Sequence, residues 1–224
     1  MIREIVLDTE TTGLDPLLGH RLIAVGCVEL VNHLPTGRTF HSYINPERDM
    51  PEEARRVHGL SAEFLKDFPV FAELVEAFLE FIEDCPLVIH NARFDMAFIN
   101  AELVRAGREV LPATRAVDTL ALAQRRFPNA PASLDALCRR FGVDNSGRTR
   151  HGALLDSELL AEVYLHLLGG RQTDLALAAP ARRVVAQAAQ TVRQRPARVF
   201  EPTAEELAAH AAFVAKLENA VWLL

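Results

Sequence analysis

Four carboxylates and a histidine stand at three separated places in the chain, each where an apolar segment meets a polar turn: Asp8, Glu10, Asp95, His151 and Asp156. If the fold brings these acids together, they repel one another unless a cation neutralises them. Carboxylate oxygens suit hard cations such as Mg²⁺ and Mn²⁺, and a histidine beside them is a candidate proton acceptor. The pattern therefore predicts a two-metal phosphodiesterase.

Each of these residues has an ordinary structural explanation when it is taken alone. Asp8 could end a strand, Asp95 and Asp156 could be solvated helix residues, and His151 could cap a helix. The combination favours chemistry. Asp8 and Glu10 follow an apolar run directly, although Asp is disfavoured in strands and a buried charge needs a partner.

Apolar periodicity and turn residues outline the elements that must position the acids. Strands are predicted at 4–8, 21–31, 38–44, 86–90 and 115–119, with a turn at 35–37. Helices are predicted at 70–84, 92–107, 134–142 and 153–168. Because the first three strands are joined by short loops and the later ones alternate with helices, the sequence predicts a mixed α/β sheet.

Length and charge narrow the class of protein. The 224 residues suffice for one well-packed domain with an appendage, and the formal net charge is −6. This charge argues against a basic protein that coats nucleic acid. It does not argue against a nucleic-acid enzyme, because bound divalent metals and local Arg or Lys side chains can offset the acids of a site.

The cysteines and the apolar runs bear on the compartment. Cys27, Cys85 and Cys138 are scattered and form no C-x-x-C pair, so neither a zinc site nor a disulfide framework is predicted. Asp8 and Glu10 interrupt the first apolar run, which argues against a signal peptide. No apolar run approaches the roughly 20 residues of a membrane span. We therefore expect a cytoplasmic protein that makes no membrane contact.

Three short motifs carry a family resemblance. The segments DTETTGLDP at 8–16, HNARFD at 90–95 and HGALLD at 151–156 resemble the three motifs of the DEDDh 3′→5′ exonucleases. The resemblance implies a ribonuclease-H-like fold, in which a mixed five-stranded sheet is flanked by helices. Within this family the chain resembles the proofreading subunits of bacterial DNA polymerase III, to which the stretches 57–61, 133–141 and 198–210 are similar.

The resemblance implies a role for each residue of the acidic set. Asp8 would bridge two divalent metal ions, Mg²⁺ or Mn²⁺, and Glu10 and Asp156 would complete the shell of the first. Asp95 would hold the second ion through water. His151 would take a proton from the attacking water, and nucleoside 5′-monophosphates would leave from a 3′ end.

Further residues match family positions beside the terminal nucleotide: Thr12, Leu14, Glu53 and His58, together with Asp8, Glu10 and Asp156. A helix or turn cap is the ordinary alternative for His58. The expected substrate is an unpaired, single-stranded 3′ end of DNA, since contacts to the backbone and the metals dominate and base readout is not needed.

Composition changes after the exonuclease domain, which we assign to 1–170. Residues 171–198 are rich in Ala, Gln and Arg and are expected to form a flexible linker. In the tail at 199–224, Thr203 and Glu206 fit a capping box at the start of a short amphipathic helix. Such a helix cannot bury its apolar face alone, so it either folds back on the domain or docks on a partner. The resemblance favours docking on the alpha (polymerase) subunit of DNA polymerase III.

A second partner motif lies at the start of the linker. QTDLAL at 172–177 resembles the segment through which related subunits bind the sliding clamp, with Gln172, Leu175 and Leu177 as the contacts. The resemblance leaves a small accessory subunit open as a further partner.

Two other functions remain open from the sequence. The same catalytic set could serve a DEDDh exonuclease that acts on RNA or short oligonucleotides. Alternatively, the chain could be mainly a scaffold that joins polymerase to clamp. The tail argues against the first, and the complete acidic set argues against the second as the whole function.

Overall fold

Five strands form one mixed sheet in the computed structural model, which describes residues 2–148, 150–169 and 202–216. The strands are β1 (Arg3–Thr11), β2 (Leu22–Val31), β3 (Leu34–Tyr43), β4 (Leu87–Ile89) and β5 (Ala116–Asp118). Their order is β3-β2-β1-β4-β5. The first three pair antiparallel, and β4 and β5 run parallel to β1. The predicted meander and the predicted mixed five-stranded sheet are confirmed.

Helices cover both faces of this sheet. They are α1 (Glu52–His58), α2 (Ala62–Leu65), α3 (Phe71–Ile82), α4 (Ala92–Arg105), α5 (Thr119–Arg126), α6 (Leu134–Phe141) and α7 (Ala153–Leu167). Helices α3 and α4 pack on one face, while α5, α6 and α7 pack on the other. As predicted, α6 begins at the cap Ser133, whose hydroxyl accepts from the Ala136 N–H, and ends at Gly142.

Strand β1 lies in the middle of the sheet and presents alternate residues to two hydrophobic cores. Ile5 and Leu7 belong to the core of α3 and α4, whereas Val6 belongs to the core of α5, α6 and α7. Side chains of a strand alternate between its two faces. Asp8 and Glu10 therefore lie on the same face as Val6, towards α7.

The first strand is longer than predicted. It continues past residue 8 to Thr11, because β2 pairs with it along its whole length. Glu10 consequently lies inside the sheet, opposite Ala24, rather than beyond the end of the strand, and Asp8 lies opposite Gly26.

The hairpin between β2 and β3 also differs from the prediction. Its turn lies at Asn32 and His33, which have positive φ values of 51° and 66°, and β3 already begins at Leu34. Two left-handed residues close a two-residue hairpin directly. The turn predicted at 35–37 is therefore wrong, and Pro35 lies in the edge strand, where a missing N–H is tolerated.

The chain divides into two compact units, 1–177 and 178–224. In the second unit the structure describes helix α8 (Ala204–Val214). The predicted capping box is confirmed, since Thr203 accepts from the Glu206 N–H while the Glu206 carboxylate accepts from the Thr203 N–H. The predicted linker, its clamp motif at 172–177 and the last residues of the tail lie outside the described residues.

None of the helices in the described ranges combines the length and apolarity needed to cross a bilayer.

The start of α7 sits directly against β2 at Gly26. A Cβ at this position would overlap the backbone of Ala153, and the Ser157 hydroxyl donates to the Gly26 carbonyl at 2.9 Å. Only a residue without a side chain allows this approach, which brings the first turn of α7 close to the acids of β1.

Gly26→Ala should therefore push α7 away from the sheet and destabilise the protein by about 1–3 kcal/mol, the usual range for overpacking. Denaturant unfolding measures the loss. Gly147→Ala is the control, because a Cβ at Gly147 meets nothing within 4 Å. Equal stability of the two variants would contradict the close approach.

Candidate active site

The acids of β1 and the start of α7 meet in one cluster. Candidate ligand atoms of Glu10, His151 and Asp156 all lie within 4.8 Å of one another. Glu10 is 8 % exposed and Asp156 is 2 % exposed, so both carboxylates are largely removed from water. Asp156 stands in the first turn of α7, where the helix dipole favours a negative charge.

Asp95 approaches the same end of β1 from the other helical layer. It stands in the first turn of α4, which begins after Asn91 in a left-handed conformation. Its carboxylate accepts a hydrogen bond of 2.6 Å from the hydroxyl of Thr9. Because Thr9 lies between the two acids of β1 and points to the opposite face, one short strand segment connects both layers at the site.

Arg148 supplies the positive charge nearest to this cluster. Its Nε and Nη2 donate to the two carboxylate oxygens of Asp156 at 2.5 and 2.6 Å, and its Nη1 donates to Asp135 at 2.7 Å. Nη2 also lies 2.6 Å from Nδ1 of His151, which in turn lies 3.3 Å from Asp156 Oδ2. The Arg148 side chain is 7 % exposed, and its guanidinium joins three polar side chains.

The acids that lack such a partner resist ionisation. Burial raises the pKa of Asp8 well above its ordinary value, and the neighbouring Asp95 and Glu10 raise it further. Burial, followed by the charge of Asp156, raises the pKa of Glu10 to about 7. Burial likewise raises the pKa of Asp95 to about 7, against the hydrogen bond from Thr9.

Asp156 and His151 show the reverse pattern. Burial works to raise the pKa of Asp156, but hydrogen bonds from His151 and Arg148 outweigh it and leave that pKa lowered. The hydrogen bond to Asp156 raises the pKa of His151. Asp156 is therefore the acid of the cluster that stays ionised most readily, and it stabilises a protonated His151.

The donor set fits a divalent metal. Among the described residues, Glu10 Oε1 is buried without a hydrogen-bond partner, and such a group is costly unless a ligand satisfies it. Four carboxylates with one histidine are donors suited to Mg²⁺ or Mn²⁺. A bound cation would also offset the repulsion that raises the pKa values of Asp8 and Glu10.

A cavity of about 580 Å³ opens onto the cluster, within the size range of small-molecule sites. Its wall includes eight of the residues predicted from the sequence: Asp8, Glu10, Thr12, Leu14, Glu53, His58, Asp95 and His151. Asp156 does not line this cavity; it is 2 % exposed and accepts hydrogen bonds from Arg148. A smaller cavity of about 300 Å³ shares Glu10, His58 and His151 with the first.

The predicted substrate contacts differ in how they reach this cavity. Leu14 is 85 % exposed at its mouth, and Glu53 is exposed on α1. The hydroxyl of Thr12 is already engaged, since it accepts from the Arg21 N–H at 2.9 Å and lies 3.2 Å from His20 Nδ1.

His58 caps a turn, and it also lies in the wall of the cavity. It is the last residue of α1, and its Nδ1 accepts from the Leu60 N–H at 3.0 Å, which is a turn cap. Its Nε2 is buried without a partner among the described residues, in the wall of the cavity. Burial, together with the charge of His151, lowers the pKa of His58 to about 4, so the ring is neutral and Nε2 can donate.

Sequence reasoning missed Arg148, Thr9 and His20. Arg148 and Arg150 stand two residues apart in a polar loop, and nothing in their spacing tells which one turns inward. Thr9 could have been found, because a strand residue between two acids must face the layer opposite to them.

The chain is similar to known proteins over most of its length. The sequence profile of the family described as Exonuclease matches residues 5–164. DNA polymerase III subunit epsilon of Rickettsia felis is 50% identical over 222 residues, covering 96% of this chain and 97% of that protein. The subunit of the same name from Escherichia coli (strain K12) is 46% identical over 229 residues, covering 94% and 91%.

One solved structure shares the fold. The nuclease domain of 3′hExo, a DEDDh family member bound to rAMP, has a TM-score of 0.65 and 19% identity, covering 74% of this chain and 91% of that chain. At this identity the likeness speaks for the fold alone.

The raised pKa of Glu10 has a consequence for stability. Its ordinary value is 4.5 and its folded value is about 7, so the folded state loses stability as the pH rises between the two values and the full loss is present above pH 7. In a chelator, Glu10→Gln should raise the free energy of unfolding at pH 8 by about 3 kcal/mol and have little effect at pH 5. Denaturant unfolding at the two pH values measures this.

Glu53→Gln is the matched control, since Glu53 is an exposed carboxylate on the wall of the same cavity. A gain in Glu10→Gln that is equal at both pH values would contradict a buried, repelled carboxylate at position 10.

Proposed function

The chain belongs to the exonuclease family and within it to the epsilon subunits of DNA polymerase III, and from this membership we propose that it is a 3′→5′ exodeoxyribonuclease that proofreads DNA synthesis. The observation that carries the proposal is the meeting of Asp8, Glu10, Asp95 and His151 on the wall of one cavity, with Asp156 behind them. These residues come from both helical layers and from the strand between them. Such convergence supports a catalytic site rather than a set of solvated acids.

The fold and the carboxylate set imply a divalent metal. We propose that Asp8, Glu10, Asp95 and Asp156 hold two ions, either Mg²⁺ or Mn²⁺. When bound, these ions lower the pKa of water and offset the charge that develops on the phosphate. The protein holds the four carboxylates in place beforehand, on the middle strand of the sheet and on the first turns of two helices.

His151 is the proton acceptor in this proposal. Its half-exposed ring borders both cavities, so it reaches a water on the substrate side. Its hydrogen bond to Asp156 raises its pKa, which strengthens it as a base near neutral pH. The same carboxylate then stabilises the protonated ring while the proton is held there.

The remaining cavity residues suit a single terminal nucleotide. The neutral His58 offers a buried N–H donor, which fits a sugar hydroxyl or a base edge. Glu53 offers an acceptor, and the exposed Leu14 gives an apolar surface against which a base can pack. With a net charge of −6, the protein lacks a general attraction for DNA, so these local contacts and the metals must hold the unpaired 3′ end.

The nuclease proposal is tested with a DNA primer that carries a mismatched 3′ end. In Mg²⁺ or Mn²⁺ the wild type should release nucleoside 5′-monophosphates, and a chelator should stop the reaction. Asp8→Ala should reduce release to the background rate, because it removes a central metal ligand. Asp49→Ala, which removes an exposed carboxylate away from the cavity, should retain full activity.

The same assay separates the alternatives. Degradation of short RNA with no action on DNA would refute the proofreading assignment and leave the site chemistry intact. No metal-dependent release from either polymer would refute the enzymatic proposal and favour a scaffold.

We further propose that the tail at 199–224 docks on the alpha subunit of the polymerase. The likeness to the epsilon subunits spans 96% of the chain and so extends beyond the nuclease domain at 1–170. Within the tail, α8 is capped at its start and carries exposed apolar side chains at Leu207 and Phe213. An ordered helix with exposed apolar residues is suited to a groove on a partner.

Leu207→Asp should weaken capture of the purified alpha subunit by about tenfold or more, as expected for an apolar anchor. It should leave the release of nucleotides unchanged. Ala209→Asp places the same charge two positions along α8, on another side of the helix, and should have little effect. Equal capture by the wild type, Leu207→Asp and Ala209→Asp would refute docking through the side of α8 that carries Leu207.

The clamp contact also belongs to the proposal, with Gln172, Leu175 and Leu177 as the expected anchors. An accessory subunit stays a prediction from the family resemblance.

A further inference from the structure

Arg148 and Asp156 form the tightest ion pair at the site. Both carboxylate oxygens accept from the guanidinium, at 2.5 and 2.6 Å, and both side chains are almost completely buried, at 7 % and 3 % exposure. Parallel contacts of this kind are the strong, oriented form of an arginine–carboxylate pair. Asp156 is therefore held by a cation that belongs to the chain itself.

The same guanidinium has a second anchor away from the cluster. Its Nη1 donates to Asp135 at 2.7 Å, and the side chain of Asp135 is 43 % exposed on α6. Arg148 can thus release Asp156 and still keep one carboxylate partner. A buried arginine without such an alternative would lose all of its compensation on release, which is costly.

A divalent cation and Arg148 make opposite demands on Asp156. The metal needs an oxygen of this carboxylate with a lone pair directed at it, whereas the guanidinium engages both oxygens. The two positive charges would also repel each other at this short range. The guanidinium occupies both oxygens of a carboxylate that is itself only 3 % exposed.

We propose that Arg148 is a positioning residue that competes with the divalent metal for Asp156 and thereby sets the strength of metal binding. This inference rests on the proposed two-metal function and adds a residue outside the motif set. Arg148 stabilises the acidic cluster as a single fixed charge, and the metal must take over Asp156 while the guanidinium keeps Asp135. Because Nη2 also contacts His151, the same exchange frees the ring of the proton acceptor.

Isothermal titration calorimetry of Mn²⁺ binding to the full-length protein tests the competition directly. Arg148→Gln removes the charge and should bind Mn²⁺ roughly tenfold more tightly, by analogy with the effect of a neighbouring arginine on how a carboxylate binds a proton. Arg148→Lys keeps a charge but cannot make two parallel contacts, so its affinity should lie between the two. Arg150→Gln removes the same charge from an exposed position of the same loop and should bind like the wild type.

Thermal unfolding gives a second readout. In a chelator Arg148→Gln should unfold at a lower temperature than the wild type, because Asp156 loses its counter-charge. On addition of Mn²⁺ its unfolding temperature should rise by more than that of the wild type. A residue that served only to support the loop would lower stability without tightening metal binding.

Unchanged or weaker Mn²⁺ binding in Arg148→Gln, with normal binding by the wild type, would overturn the inference and make Arg148 a residue that orients Asp156 for the metal. If Arg148→Gln does not fold, Arg148→Lys must bind more tightly than the wild type, and equal or weaker binding overturns the inference. Absence of Mn²⁺ binding in the wild type would overturn both this inference and the two-metal function.

Discussion

Repulsion among four carboxylates at one end of the middle strand is the constraint on which the rest of the structure depends. Asp8 and Glu10 face the same side because they are two residues apart on β1. Asp95 and Asp156 arrive from the two helical layers. No arrangement of these acids is stable in a packed interior without protons, hydrogen-bond donors or cations, and the chain uses all three.

The acids differ in how well their negative charge is compensated by neighbouring groups. Asp156 receives a guanidinium, Asp95 receives one hydroxyl from Thr9, and Glu10 keeps a buried oxygen that lacks a partner among the described residues. The unsatisfied oxygen of Glu10 destabilises the unliganded protein, and a ligand that contacts this oxygen removes that destabilisation. The protein gives up stability in this region in exchange for affinity towards a charged ligand, which is the usual relation between stability and activity at a site.

Much of this could be predicted from the sequence, because the controlling patterns are local. The spacing of Asp8 and Glu10 predicts a shared face, and caps at Ser133 and Thr203 predict where helices begin. The prediction of the turn between β2 and β3 failed for a physical reason. The turn at Asn32 and His33 depends on left-handed conformations that residues other than glycine adopt only in context.

The role of Arg148 could not be predicted for a related reason. Its direction is decided by Asp135 and Asp156, which lie on two different helices, and sequence spacing carries no information about that meeting. The same holds for His58, whose cap at Leu60 and position in the cavity wall are compatible. The sequence presents the cap and the site contact as alternatives, because both ring nitrogens of His58 find their surroundings only in the folded chain.

The alternation of β1 between two cores has a genetic consequence. The site is assembled from a strand and from both helical layers. A small relative shift of those layers therefore changes the distances between the catalytic side chains while the fold is still intact. Conservative changes deep in either core, at positions such as Ile99 or Leu160, would leave an abundant protein that proofreads newly made DNA less effectively. A screen for mutator alleles should consequently recover packing residues from both layers, and their distribution would outline the interior of the domain rather than its cavity.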